Sequence, residues 1–228
     1  MDQGLKSYTA EFIGTFTLCL IGQGAICTQQ LTGTAGGGLL AVAVAHGLAL
    51  VVMISALGAA SGGHFNPAVT FGFLVTGRQS AGSAARYIVA QLAGAVVASA
   101  IVAASFPAAV WQSVRLGAAG LHPEISAPMG LLLEVIMTFF LVLTVWGTAV
   151  DSRAPKIGGI GIGLSVTMGI LFIGPLTGGA LNPARAFGPA LVAGAWDMHW
   201  IWWVGPMAGG AIAAWLYRGL ILPAEATR

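Results

Sequence analysis

His64-Phe65-Asn66-Pro67-Ala68-Val69-Thr70-Phe71-Gly72 and Ala180-Leu181-Asn182-Pro183-Ala184-Arg185-Ala186-Phe187-Gly188 align position by position, and each stands in a Gly-rich break between long apolar runs. Each carries Asn-Pro-Ala. Asn suits the position just before a helix, and Pro suits the first helical position, where its missing N–H costs nothing. The helical stretch that follows each motif, inside 64–77 and 180–194, is only about ten residues long. That is half a bilayer thickness, the length of a re-entrant segment.

The surrounding chain explains why half a bilayer is the relevant ruler. Of 228 residues, 57% are hydrophobic and only 7% charged, and the mean hydropathy is +0.89. Soluble domains carry about 25% charged residues, so lipid is the expected solvent. The net charge of +2 and the absence of a basic run give no reason to expect nucleic acid. Cys19 and Cys27 fall in one apolar run, roughly 12 Å apart on a helix, too far to bridge. They read as apolar filler, and no Cys/His cluster has metal-ligand spacing. A single Lys precedes the first run, which reads as a retained span rather than a cleaved leader.

Six stretches suffice to cross a bilayer, at about 8–29, 36–58, 85–106, 127–150, 157–176 and 199–222. Two halves repeat, one over about 1–110 and the other over about 125–228. Glu11-Phe12-Ile13-Gly14-Thr15-Phe16 answers Glu134-Val135-Ile136-Met137-Thr138-Phe139, and Leu92-Ala93-Gly94 answers Met207-Ala208-Gly209. Each half holds three spans, an odd number, so the second enters the membrane inverted. The expected fold is an all-α membrane protein, a single 1–228 domain of six transmembrane helices plus two re-entrant half-helices in an inverted 3+3 repeat. A shared site then lies near the midplane. Gly205 and Gly209 have the spacing of a close helix contact in lipid. With the N-terminus in the cytoplasm, Lys6, Arg78, Arg86, Arg153, Lys156, Arg218 and Arg228 all fall inside, and only Arg115 and Arg185 outside. This asymmetry places both termini in the cytoplasm.

Inversion brings the two half-helices in from opposite faces. At 1.5 Å per residue each reaches roughly 15 Å, so their N-termini meet at the bilayer centre. Asn66 and Asn182 can there donate two hydrogen bonds into one small volume. Two helix N-termini add about half a positive charge each. A neutral hydrogen-bond acceptor is welcome at such a point and a cation is repelled. The plainer role, each Asn only capping its own helix, fits a single motif better than an inverted pair.

These motifs, with the paired Glu11 and Glu134 and the Trp202-Trp203-Val204-Gly205-Pro206 opening of the last span, resemble the aquaporin (major intrinsic protein) family over essentially the whole chain. The resemblance implies a passive pore in each subunit of a homotetramer, lined by Asn66, Pro67, Ala68, Asn182, Pro183 and Ala184. It also implies a narrower filter outside them, formed by His46, Ile170, Gly179 and Arg185. An intramembrane Arg is expensive unless it faces a cavity, and Arg185 would offer donors to water while opposing cations. Strict water channels of the family pair an aromatic in the second span with a His in the fifth. Here the His is in the second span, and the set is similar to that of plant tonoplast intrinsic proteins, some of which are associated with ammonia as well as water. The resemblance places His64 in the cytoplasmic vestibule and offers His122, in the long external loop, as a filter accessory or an exposed loop residue. His199 reads as an interface residue.

The expected function is therefore water conduction, with ammonia or another small neutral solute as a second permeant. The alternatives are a glycerol or small-polyol facilitator and, further off, an ion-coupled secondary transporter. Ala186 stands where glycerol facilitators usually carry Asp. Glu11 and Glu134 read as buried acceptors for the irregular backbone before each half-helix, rather than as proton-coupling groups. No nucleophile with a base partner suggests an enzyme. No cofactor or metal is expected, and the partners are water, small neutral solutes, the lipid bilayer and further copies of the chain. Short termini and heavy Ala/Gly usage lean toward the plasma (inner) membrane of a prokaryote over a vacuolar membrane.

Overall fold

The structure, a computed structural model, describes residues 3–155 and 157–223. Lys156 and Arg228, two of the cations used to orient the chain, lie outside the described residues. Among the described residues there is no strand. The order is α1 (Gln3–Thr32), α2 (Gly38–Ser61), α3 (Pro67–Val75), α4 (Ala81–Ser105), α5 (Ala108–Ser113), α6 (Ala127–Val145), α7 (Gly158–Thr177), α8 (Pro183–Ala193) and α9 (Ile201–Leu216). Helices α3 and α8 are the two short helices expected from the sequence, with 9 and 11 residues.

Among the described residues, five helices are long and apolar enough to cross a membrane by themselves. The sixth expected span is divided: α9 has 16 residues and continues as a π turn, Tyr217–Ile221. Helix α6 ends the same way, in the π turn Trp146–Val150. The short α5 in the loop after α4 had no sequence signal, because six residues are too few to show a helical period.

Close approach of backbones holds the bundle, as expected where apolar side chains gain nothing by leaving lipid. A Cβ on Gly209 of α9 would strike the Val135 carbonyl and come within 2.9 Å of Phe139 N on α6. A Cβ on Gly94 of α4 would strike the Phe12 carbonyl and come within 3.0 Å of Phe16 N on α1. These are equivalent positions of the two repeats making the same contact. On the pseudo-twofold axis α2 meets α7 through Gly47 and Gly163, each sited where a Cβ would run into the other's carbonyl. Thr167 Oγ1 of α7 donates to the Ala43 carbonyl of α2 at 3.2 Å.

Four arginines, Arg78, Arg86, Arg153 and Arg218, collect at one end of the bundle. Arg86 donates to Tyr8 Oη at 3.1 Å, Arg78 lies 5.0 Å over the Trp146 ring, Arg218 donates to the Thr76 carbonyl, and Arg153 donates to the Ile221 carbonyl at 3.0 Å.

Candidate functional site

Two matching loops carry the chain into the half-helices, Ser61 to Asn66 and Thr177 to Asn182. Their backbones run through the left-handed region at the same places. Gly62 and Gly178 have φ of +88° and +83°, Gly63 and Gly179 +66° and +55°, and Phe65 and Leu181 +47° and +53°. A non-glycine residue held there costs about 1–2 kcal/mol, so something must fix each loop.

The buried carboxylates do so. Glu134 accepts from Thr177 Oγ1 (2.7 Å), Ala180 N (3.0 Å) and Leu181 N (2.9 Å). Glu11 accepts from Ser61 Oγ (2.7 Å), His64 N (2.9 Å), Phe65 N (2.7 Å) and Gln91 Nε2 (2.7 Å). Every partner donates, so each carboxylate satisfies N–H groups for which lipid offers no acceptor. The preceding carbonyls are held as well: Tyr87 Oη donates to Ser61 O at 2.9 Å and Trp202 Nε1 to Thr177 O at 3.0 Å. Sequence reading missed Gln91, Tyr87 and Trp202 in these roles. A lone Gln in the apolar run of α4 was the available signal.

The two Asn side chains cap and cross-link at once. Asn66 Oδ1 accepts from Ala68 N at 2.8 Å, while its Nδ2 donates to Leu181 O of the other repeat at 2.9 Å. Asn182 Oδ1 accepts from Ala184 N (3.0 Å) and Arg185 N (3.2 Å), and its Nδ2 donates to Phe65 O at 2.9 Å. Pro67 and Pro183 open their helices, where no N–H is needed. Helix capping and a second role are therefore not alternatives, since they use different atoms. An amide nitrogen has two hydrogens, which leaves one on each Asn.

A single narrow cavity passes both. His46, Ile170, Arg185, Asn66, Asn182 and His64 all contribute to its wall. Much of the remainder is aliphatic, with Leu50, Val69, Leu141 and Val166. Arg185 is only 5% exposed, and its Nη1 has no hydrogen-bond partner among the described residues. His46 Nδ1 lies 2.8 Å from Val42 O. A carbonyl only accepts, so the proton sits on Nδ1 and Nε2 of the neutral ring is an acceptor. This stretch of the cavity wall thus carries donors on Arg185 and an acceptor on His46 together with an aliphatic Ile170.

Gly179 is not itself in the cavity lining. A Cβ there would come 3.3 Å from Ile170 Cα and Gly174 Cα, so it packs on α7 and lets Ala180 and Leu181 form the wall. A second cavity shares Ile170 and Arg185 with the first. His122 lines neither. It is exposed, its N–H donates to Leu176 O at 2.9 Å, and its ring accepts from Glu124 N at 3.3 Å. A tight turn thus holds the loop His in the exposed position that the sequence offered for it beside the accessory role. His64 is buried, with Nδ1 3.1 Å from Thr70 Oγ1 and its ring 4.4 Å from that of Phe73. His199 packs among Trp196, Phe187 and Trp202. Ala68 and Ala184 are fully buried behind the capping groups.

At that basic end a further, open cavity is bordered by Ser55, Thr148, Asp151 and Ser152. The Asp151 side chain is 4% exposed. It accepts from Arg153 Nε (2.9 Å) and Nη2 (2.6 Å), Arg153 N (3.0 Å) and Tyr217 Oη (3.1 Å). The Arg153 guanidinium and backbone N–H, with help from the Tyr217 hydroxyl, hold the Asp151 carboxyl well below the usual carboxylate range. This contact joins the two π turns. No group of three or more His, Cys, Asp or Glu able to hold a metal occurs among the described residues.

A model of the major intrinsic protein family matches residues 2–217. The chain belongs to that family. Among curated members, the probable aquaporin TIP3-2 of Arabidopsis thaliana is 45% identical over 238 residues, covering 96% of this chain and 85% of that protein. Aquaporin TIP4-4 of Zea mays is 43% identical over 225 residues, covering 96% and 87%. The solved structure of the aquaglyceroporin from Plasmodium falciparum superposes with a TM-score of 0.85 at 25% identity, over 96% of this chain and 98% of that one. This major intrinsic protein is thus a multi-pass integral membrane protein.

Proposed function

We propose that the chain is a passive channel for water, with ammonia or another small neutral solute as a second permeant. The observation that carries this reading is the pair of half-used amides, Asn66 and Asn182, on the wall of the same cavity as Arg185 and His46. A water molecule passing the Asn pair accepts a hydrogen bond from each. Its own hydrogens then point away along the pore, one toward each mouth. Two helix N-termini and Arg185 oppose a cation on the same path. At the constriction water accepts from Arg185 and donates to His46. Ammonia, with three donors and one lone pair, finds the same two partners, and Ile170 leaves the remaining wall apolar.

Membership of the family and the TIP aquaporins among the relatives support water as the principal permeant. Those relatives are plant proteins, which weighs against the prokaryotic membrane suggested by composition. The clustered basic residues support a cytoplasmic location for that end and hence for both termini. The exposed apolar faces of α2 and α7, including Leu48, Val52, Leu164 and Phe172, suit lipid and neighbouring copies in a homotetramer. Proteoliposomes challenged with water, ammonia and glycerol test the ordering. Fast water and ammonia with slow glycerol is expected, and a large glycerol flux without fast water overturns it.

A further inference from the structure

Gly22 of α1 lies behind the filter histidine. A Cβ on Gly22 would come within 2.7 Å of His46 Cε1, 2.5 Å of Cδ2 and closer still to Nε2. No real Cβ fits there unless the ring moves. The ring is anchored from the other side by Nδ1 on Val42 O, so a push from α1 rotates it toward the lumen. The internal repeat supplies a control for this pair. Under the alignment that equates Glu11 with Glu134 and Asn66 with Asn182, Gly22 corresponds to Val145 and His46 to Ile162. Val145 and Ile162 sit in one buried cluster and both line the cavity. Where the second half of the chain has a branched wall residue, it has an aliphatic lumen residue; where the first half has an imidazole, it has no side chain behind it.

We infer that Gly22 is a positioning residue for solute selectivity, seating the His46 imidazole back against α1 and so setting the width of the constriction. The inference rests on the filter reading above, and deepens it. Gly22 touches no permeant; it acts only through the ring it receives.

The test uses the full chain in proteoliposomes, with water followed by light scattering and ammonia by an internal pH dye. For Gly22→Ala, ammonia flux is expected to fall about fivefold or more, since one extra carbon in a filled site is a costly intrusion. Water, the smaller molecule, should fall less. His46→Ile removes the ring, so adding Gly22→Ala to His46→Ile should change neither flux further. If Gly22→Ala alone does not yield a folded protein, recovery in the double variant shows the same dependence on the ring. The inference is overturned if Gly22→Ala leaves the ammonia-to-water ratio unchanged, if it lowers fluxes equally with and without His46, or if the double variant also fails to fold. Failure of the underlying filter reading looks different: His46→Ile alone would then leave both fluxes unaltered.

Discussion

Replacing Glu134 by Gln exchanges one acceptor oxygen for an NH2 group at nearly constant volume. If the NH2 takes the Oε2 place, Leu181 N loses its acceptor at 2.9 Å; if it takes the Oε1 place, Ala180 N (3.0 Å) and Thr177 Oγ1 (2.7 Å) face a donor. Thr177 has a retreat, because its hydroxyl also lies 3.3 Å from Ile173 O. The backbone N–H groups have none. A buried donor left unsatisfied costs about 1–3 kcal/mol, and a bond to a charged acceptor is worth about 1.5–3. One orphaned N–H plus the weakened remaining bonds gives a loss of about 2–4 kcal/mol. At about 2–4 °C per kcal/mol for a chain of this size, the detergent-solubilised variant should melt roughly 4–16 °C below the native protein. Function should fall with stability, because Leu181, at φ +53°, presents the carbonyl that Asn66 Nδ2 holds. Glu11→Gln should be milder. Gln91 Oε1 has no partner, and turning that amide offers an acceptor to the new NH2. An unchanged melting temperature and water flux in Glu134→Gln would refute the idea that this carboxylate holds the loop.

Gly209→Val and Gly94→Val drive a side chain into the backbone of the facing helix and should each destabilise by about 3 kcal/mol, the upper end for overpacking, as read by thermal melting. Cys19 and Cys27 are fully buried, so mercurials should not block water flux; strong inhibition that disappears in Cys19→Ser would show that the first span is accessible. Asp151 has a depressed carboxyl in the folded protein. Its contribution to stability is therefore complete above the ordinary carboxylate pKa, near 4, and is lost only as pH falls through the lower folded value. Melting temperature should thus be insensitive to this group from neutral pH to about 5, whereas Asp151→Asn should loosen the loop over that whole range, seen as faster cleavage there by added protease.

The half-helices, the inverted repeat and the Glu pair were legible because each is written twice: Asn-Pro-Ala, Gly-Gly and a Glu in an apolar run recur at matched positions. What the repeat does not share was harder to see. Gln91 answers to Pro206 and Thr70 to Ala186, so the extra polar support under the first loop has no echo in the second. The positive φ of Phe65 and Leu181 was hidden because neither residue type prefers that region. The π turns after Val145 and Leu216 leave no break in an apolar run. The exposed turn at His122 was not legible, because distance along the sequence says nothing of which way a turn faces. Gly22 read as one small residue among many, and only the ring packed on it sets it apart.

The most direct test of the account is stopped-flow osmotic shrinkage of proteoliposomes that also carry an internal pH dye. Water permeability should lie far above that of empty liposomes, be linear in the osmotic gradient, be indifferent to sodium or proton gradients, and come with no proton leak. Flux that saturates, follows an ion gradient or matches empty liposomes would contradict it.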